Sequence, residues 1–378
     1  MRIAFLGIRG VPASYGGFET FVENLGQRLS QRGHEVTVYC RPHMASGRFS
    51  TYRGMRLVYL PTIATKHLDT IIHTLVCTLH MALGHRPDVA VYVVAGNSPL
   101  AALSRVLGIP SIINVDGLDS RRVKWGRYAR VYLRWTERNA PRCATATVTD
   151  SRNVQSVYRE EYGAQTHYIP YGGDMDGTDT GEYLRRHGLQ PRQYILFVGR
   201  LVAENNAHVL VRAFEGLETD LKLVVVGDAP YADEYQRALR ATSDERVIFT
   251  GYVFGDGYRE LTRNAAIFVE PTEVGGTHPA IVEAMAAGNC VVVNDFQPNV
   301  DTIGDAGVSY PGREGASGLR GVLAELLGDP ARVQRYRELA KTRAREHYSW
   351  DAVTEAYEKL ATSVVTQHVR RRRFFARL

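Results

Sequence analysis

Cysteine is scarce in this 378-residue chain, and Cys40, Cys77, Cys143 and Cys290 are far apart, with no Cys-x-x-Cys pair. That spacing argues against a disulfide framework or a zinc site and for reduced, mostly buried thiols in a cytosolic compartment. No apolar run approaches the ~20 residues of a membrane-spanning helix. The most apolar long segment, Thr70 to Leu83, is interrupted by His73 and His80 and is expected to be a core helix. The opening Met1-Arg2-Ile3-Ala4-Phe5-Leu6-Gly7 is too short for a signal peptide and reads as a first strand. No Gly-x-Gly-x-x-Gly is present, which disfavours a nicotinamide dinucleotide.

What is present is an ordinary enzyme composition, 44% hydrophobic and 23% charged, long enough for two domains. The net charge of +6 suits anionic substrates, anionic lipid or nucleic acid without choosing among them. No nucleic-acid-binding motif supports the last.

In chain order, the strand Ile3–Leu6 is followed by a loop, Gly7 to Gly17, carrying Arg9, Gly10, Pro12, Gly16 and Gly17. Phe21, Val22, Leu25 and Leu29 then predict a helix over 19–32, and Glu35 to Cys40 a second strand. This is the start of a doubly wound sheet. Further strands are expected at 56–60, 89–94, 111–115, 144–148, 166–169, 194–198, 223–227 and 247–252. Asp116 follows the strand 111–115, where open α/β sheets collect ligands. It would orient an acceptor hydroxyl or act as a base, or else cap a helix. Ser120 to Trp135 alternates basic and aromatic residues at helical spacing. It reads either as an interfacial helix on anionic lipid or as a solvated helix with its aromatics in the core. The tail, Arg370 to Arg373 with Phe374 and Phe375, is a second basic-aromatic run.

The most informative stretch is Ile267 to Asp295: a short strand, a loop with Gly275 and Gly276, then Thr277, His278 and a helix opened by Pro279 and stopped by Gly288. A Gly-rich turn feeding a helix N-terminus presents free N–H groups and a positive dipole end to an anion. This stretch resembles the donor-binding signature of family 4 retaining glycosyltransferases, Pro-Ser-x-x-Glu-Gly-Phe-Gly-Leu-Pro-x-Leu-Glu-Ala-Met-Ala-x-Gly. Aligned without gaps, Pro271 and Thr272 take the Pro-Ser places, Gly276 matches the first Gly, and 283–288 match fully. Gly275 occupies the place of the first Glu, with Glu273 two residues earlier. The Gly-Gly-Thr-His-Pro variant is similar to a subgroup associated with rhamnosyl transfer.

The resemblance spans nearly the whole chain. It implies the GT-B architecture: two Rossmann-like doubly wound domains with an interdomain cleft. The first would cover 1–172, rejoined by a C-terminal helix over 352–378, and the second 173–351. The implied reaction is retaining, metal-independent transfer of a sugar, by analogy rhamnose from dTDP-rhamnose. The acceptor would be a polyprenyl-diphosphate-linked sugar or glycan, and no cofactor beyond the nucleotide diphosphate sugar is implied. Arg200 matches the family's diphosphate-binding Arg, and Asn205 replaces its Lys. Glu283 would bind the donor's ribose, and Gly251 would lie near its base. Glu273, Gly275, Gly276, Thr277 and His278 complete the donor site. Arg9, Gly16, Gly17 and Glu19 would line the acceptor side, with Asp116 and Arg200 catalytic. A cytosolic enzyme at the inner face of the plasma membrane is expected, its tail and the 121–135 stretch facing one lipid surface. The competing readings are another sugar-nucleotide enzyme of this fold, an epimerase or hydrolase, and a non-catalytic partner in glycan assembly.

Overall fold

The computed structural model describes residues 1–13, 16–44, 47–65, 68–121, 125–175, 181–229 and 233–375. The chain divides into two compact units: Met1–Tyr171 with Trp350–Leu378, and Gly172–Ser349.

Unit 1 alternates strand and helix: β1 (Arg2–Leu6), α1 (Gly17–Gln31), β2 (Glu35–Cys40), β3 (Thr51–Tyr52), β4 (Met55–Tyr59), α2 (Asp69–Leu83), β5 (Val89–Val93), α3 (Ser98–Val106), β6 (Ser111–Val115), α4 (Arg127–Cys143), β7 (Ala146–Thr149), α5 (Arg152–Glu160) and β8 (His167–Tyr168). The sheet order is β3-β4-β2-β1-β5-β6-β7-β8, parallel except for the short β3–β4 pair. Its central strands are apolar throughout because helices cover both faces. Ile3, Phe5, Val36 and Val91 point to one face, where α1 packs through Phe21, Val22, Leu25 and Leu29. Ala4, Leu6, Tyr92 and Ile113 point to the other, covered by α2, α3, α4 and α5.

The segment 70–83 is the expected helix and one side of it is core: His73, Thr74, Cys77, Thr78 and Met81 are buried, while Leu75, Leu79 and Leu83 face solvent. One sequence expectation needs correction here. The basic-aromatic stretch is not one helix from Ser120. A short turn covers Asp119–Arg121, residues 122–124 lie outside the described residues, and α4 begins at Arg127.

Unit 2 continues with α6 (Glu182–Arg186), β9 (Tyr194–Val198), α7 (Ala207–Glu215), β10 (Lys222–Val226), α8 (Asp233–Leu239), β11 (Val247–Gly251), α9 (Gly255–Asn264), β12 (Ile267–Glu270), α10 (Pro279–Ala286), β13 (Cys290–Asn294), α11 (Gln297–Ile303), β14 (Val308–Tyr310), α12 (Gly315–Gly328) and α13 (Pro330–His347). Its described strands form an all-parallel sheet in the order β11-β10-β9-β12-β13-β14. Numbered within the unit this is 3-2-1-4-5-6, the doubly wound order whose direction reverses between the first and fourth strands.

The last helix, α14 (Trp350–Phe375), returns to unit 1 and packs on the α1 face through Trp350, Val353, Tyr357 and Leu360. The Tyr357 hydroxyl receives a hydrogen bond from Asn114 Nδ2 at 2.8 Å. Arg32 and His34 bind Glu358 at 3.0 and 2.8 Å. α14 and α4 therefore pack on opposite faces of the sheet, and the side chains of Arg371 to Phe375 lie outside the described residues.

Candidate functional site

In open α/β sheets the crevice at the reversal point, outside the C-terminal strand ends, is where ligands bind. In unit 2 those ends are Val198 of β9 and Glu270 of β12. The neighbouring ends of β10 and β11 are tied to β9. Gly199 N donates to Val226 O at 3.0 Å and Gly227 N to Gly251 O at 2.9 Å. Gly227 has φ +138°, and a Cβ there would lie 1.9 Å from Gly199 O, so only glycine allows this contact.

Arg200 leaves β9 at this edge. Asn205 is buried, and its Nδ2 donates to Arg200 O at 2.9 Å. Its side chain thus shapes the turn that carries Arg200. Among the described residues the Arg200 guanidinium forms no ion pair.

The loop after β12 is held by three asparagines from distant elements. Pro271 O accepts from Asn206 Nδ2 at 3.1 Å and Asn294 Nδ2 at 2.8 Å, and Thr272 O from Asn299 Nδ2 at 2.8 Å. With its root fixed, the loop turns through Gly275 at φ +104°. That conformation disfavours any L side chain, so a glutamate at this family position would be strained. Glu273 is exposed and points toward Gly312, where a Cβ would lie 3.5 Å from its Oε1. Gly276 and Thr277 are buried. His278 is the N-cap of α10 with extended backbone and no side-chain cap, and Pro279 follows at the first helical position.

Glu283 lies in the second turn of α10. Tyr258 Oη of α9 donates to its Oε2 at 2.5 Å. Burial pushes the Glu283 carboxyl up to about 7, with the Tyr258 hydrogen bond and Arg259 opposing. Glu270, also buried, rises to about 7 for the same reason, and Thr272 Oγ1 donates to it. The Tyr258 hydroxyl is pushed far above its ordinary value by burial, then by Glu283. Tyr258 was not legible as a site residue, because nothing local marks it.

Unit 1 has its own reversal point between β1 and β5. Gly7 at φ +97° leaves β1 so close to β5 that a Cβ would lie 2.8 Å from Val93 O. Two acids of α1 secure the following loop: Glu19 accepts from Arg9 N at 3.0 Å and Glu23 from Ala13 N at 2.7 Å. Gly16 caps α1 and Gly17 opens it. Glu19 is buried and works on the loop backbone. A further cation, Arg41, was missed although it directly follows a strand end. It is buried, ion-paired to Asp69 at 2.7 Å and bonded to Thr70 Oγ1 at 3.0 Å, and its Nη2 lies 3.4 Å from Gly7 O. Asp116 lies partly buried after β6, and the Tyr171 hydroxyl is pushed well up by its own burial first and then by the Asp116 charge.

The predicted residues thus fall into two groups. Arg200, Asn205, Gly251, Glu273, Gly275, Gly276, Thr277, His278 and Glu283 gather at the C-terminal edge of the unit 2 sheet; Arg9, Gly16, Gly17, Glu19 and Asp116 gather at that of unit 1. The sequence contains one Asp-x-Asp, Asp174-Met175-Asp176, and Asp176 lies outside the described residues. Among the described residues no group of three or more His, Cys, Asp or Glu is placed to hold a metal.

Residues 192–329 match the family model described as glycosyl transferases group 1. The chain carries a glycosyl transferases group 1 domain. Residues 1–174 match a domain of unknown function, DUF1972. Alpha-maltose-1-phosphate synthase of Mycobacterium tuberculosis is 26% identical, over 94% of this chain and 97% of its own. Phosphatidyl-myo-inositol mannosyltransferase of Mycobacterium leprae is 24% identical over 92% and 94%. Among solved structures, sucrose-phosphate synthase from Thermosynechococcus elongatus superposes with a TM-score of 0.82 at 18% identity, covering 97% of this chain and 99% of its own. Anabaena HepE, solved with UDP and glucose, does so at 0.77 and 17%, covering 96% and 100%. The fold is therefore the one these GT-B structures share, and the glycosyl transferases group 1 match lies in residues 192–329.

Proposed function

We propose that the chain is a retaining glycosyltransferase that takes its sugar from a nucleotide diphosphate sugar held by unit 2. The observation that carries this reading is Glu283. A glutamate is held by Tyr258 one turn inside a helix whose N-terminus follows the Gly275–Gly276 loop, at the sheet's reversal point. Glu283 binds the donor ribose or deoxyribose hydroxyl, Arg200 the diphosphate, and the 275–278 backbone the phosphate oxygens. Leaving-group charge is then met by a cation and a helix dipole, which is why no metal is required. Asn205 supports Arg200 by fixing its turn, Gly251 lies toward the base, and Glu273 borders the loop. HepE, with its bound UDP and glucose, supports a nucleotide sugar as donor. The Gly275-Gly276-Thr277-His278-Pro279 resemblance favours rhamnose from dTDP-rhamnose.

Unit 1 takes the acceptor, a polyprenyl-diphosphate-linked sugar or glycan, with Arg9 for its phosphate, the Gly16–Gly17 turn and Glu19 shaping the loop, and Asp116 orienting or deprotonating the attacking hydroxyl. Such an acceptor places the enzyme at the inner face of the plasma membrane. Among the described residues no helix is long and apolar enough to cross a membrane. The exposed Arg127, Arg130, Tyr128 and Trp135 of α4 support peripheral contact with anionic lipid.

The test is turnover of a panel of nucleotide sugars with and without lipid-linked acceptor, the product analysed by NMR. Acceptor-dependent transfer with retained anomeric configuration is expected. Acceptor-independent conversion would instead identify an epimerase or hydrolase, and no turnover a binding partner.

A further inference from the structure

The α2 helix faces the wrong way for a core helix. Its inner side is largely polar, and that polarity is satisfied within the unit. His73 Nε2 lies 3.1 Å from Cys40 O, with burial pushing the imidazole down to about 4 and so keeping it neutral. Thr78 Oγ1 bonds Thr74 O at 2.7 Å and Tyr92 Oη at 3.0 Å. Its outer side carries the leucines: Leu75 is 37% exposed, Leu79 42% and Leu83 89%, with Leu68 at 46% just before the helix. Isolated exposed leucines need no explanation, but a stripe at helical spacing on a helix that buries threonines does.

The same helical layer supplies charge beside the stripe. α3 packs between α2 and α4 on one face of the sheet. The outer side of α4 exposes Tyr128 at 90%, Val131 at 65% and Trp135 at 52%, flanked by Arg130, Arg134 and Arg138. Acids are withdrawn from it. On α2, α3 and α4 the only ones are Asp69, ion-paired to Arg41, and Glu137, fully buried and accepting from Ser120 N at 2.8 Å and Oγ at 2.6 Å. A surface with an apolar stripe, amphipathic aromatics, arginines and no outward acid complements an anionic bilayer: apolar groups enter the acyl boundary while guanidinium groups stay at the phosphates.

We propose that the outer face of α2, α3 and α4 is a bilayer-docking surface in which the α2 leucines insert and the α4 arginines meet anionic headgroups. This rests on the membrane reading of the proposed function and assigns it a penetrating element.

The test is cosedimentation of the full chain with phosphatidylcholine vesicles, with and without phosphatidylglycerol, at low and high salt. The variants are Leu75→Ser/Leu79→Ser/Leu83→Ser and, separately, Leu79→Cys carrying an environment-sensitive fluorophore. The chain is expected to bind anionic vesicles with a salt-resistant component. The triple variant should lose roughly a hundredfold in affinity, as three partly buried leucines imply. The fluorophore should shift to the blue on binding. Salt-resistant binding by wild type that the triple variant matches, with no fluorophore shift, overturns the inserting role and leaves the membrane reading standing. No vesicle binding by wild type overturns both. A dimer that the triple variant makes monomeric, with vesicle binding unchanged, shows that a second copy covers the leucines and also overturns the proposal.

Discussion

Burial raises the Glu283 carboxyl to about 7, and this gives it two opposite pH signatures. As the acceptor of a donor hydroxyl it must be ionised, so donor affinity should fall as pH falls through about 7. Glu283→Gln should cost ~1.5–3 kcal/mol in kcat/KM for the donor and flatten that profile, since it removes a charge-assisted hydrogen bond. Unchanged donor kinetics would remove Glu283 from the site. Stability runs the other way. The folded value, about 7, exceeds the ordinary 4.5, so the folded state holds the extra proton. Its contribution is fully present below the ordinary value and lost as pH rises through the folded one. Wild type should therefore lose more stability than Glu283→Gln between about pH 5 and about pH 8 in denaturant titrations. Glu270 shifts in the same direction in both proteins, so the difference between the curves reports Glu283. Arg200 makes no ion pair among the described residues, so Arg200→Ala should leave the melting temperature unchanged while turnover falls by about 10²–10³. Gly275 at φ +104° should resist substitution: Gly275→Ala is expected to cost ~1–2 kcal/mol of stability in urea titration.

At the scale of elements, α14 is structural for unit 1, although 178 residues separate it from Tyr171. Trp350, Val353 and Tyr357 are each 2–3% exposed against the α1 layer. Ending the chain after Ser349 should leave an aggregating product, because the α1 face of the sheet loses its cover. Within the contact, Tyr357→Phe strands the buried Asn114 amide and should destabilise by ~1–3 kcal/mol, read as a lower urea midpoint. The ion pairs of Glu358 with Arg32 and His34 are partly exposed, and Glu358→Gln should change stability by less than about 1 kcal/mol.

For the whole molecule the decisive measurement is a thermal-shift screen. A nucleotide sugar at about 100 times its Kd should add ~2.7 kcal/mol of stability. The shift should be largest for the true donor, weaker for its free nucleoside diphosphate, and reduced in Glu283→Gln and Arg200→Ala. If no nucleotide sugar shifts the melting temperature, the donor reading of unit 2 fails. Two departures from the family pattern motivated a non-catalytic reading, and the structure gives each a place. Asn205 braces the turn bearing Arg200, and Gly275 takes a backbone conformation in which a glutamate would be strained.

The sequence by itself determined the units of this fold. Strands such as Cys290–Asn294, the helix opened by Pro279, and the turns at Gly275 and Gly288 follow from local apolar pattern and from glycine and proline. Glu283 and Arg200 were legible through the resemblance to a family pattern, and they come from separate stretches, one within α10 and one just after β9. Tertiary structure alone decided what depends on distant partners. Strand order follows from pairing across the chain, so the reversal between β9 and β12 is not written in either strand. Asn206, Asn294 and Asn299 meet at Pro271 and Thr272 only after folding, and Tyr258 reaches Glu283 from another helix. The same holds for the side of α2 that is buried. A helix's period tells which residues share a face, but the layers packed against it decide which face is covered. Here they cover the threonines and leave the leucines outside.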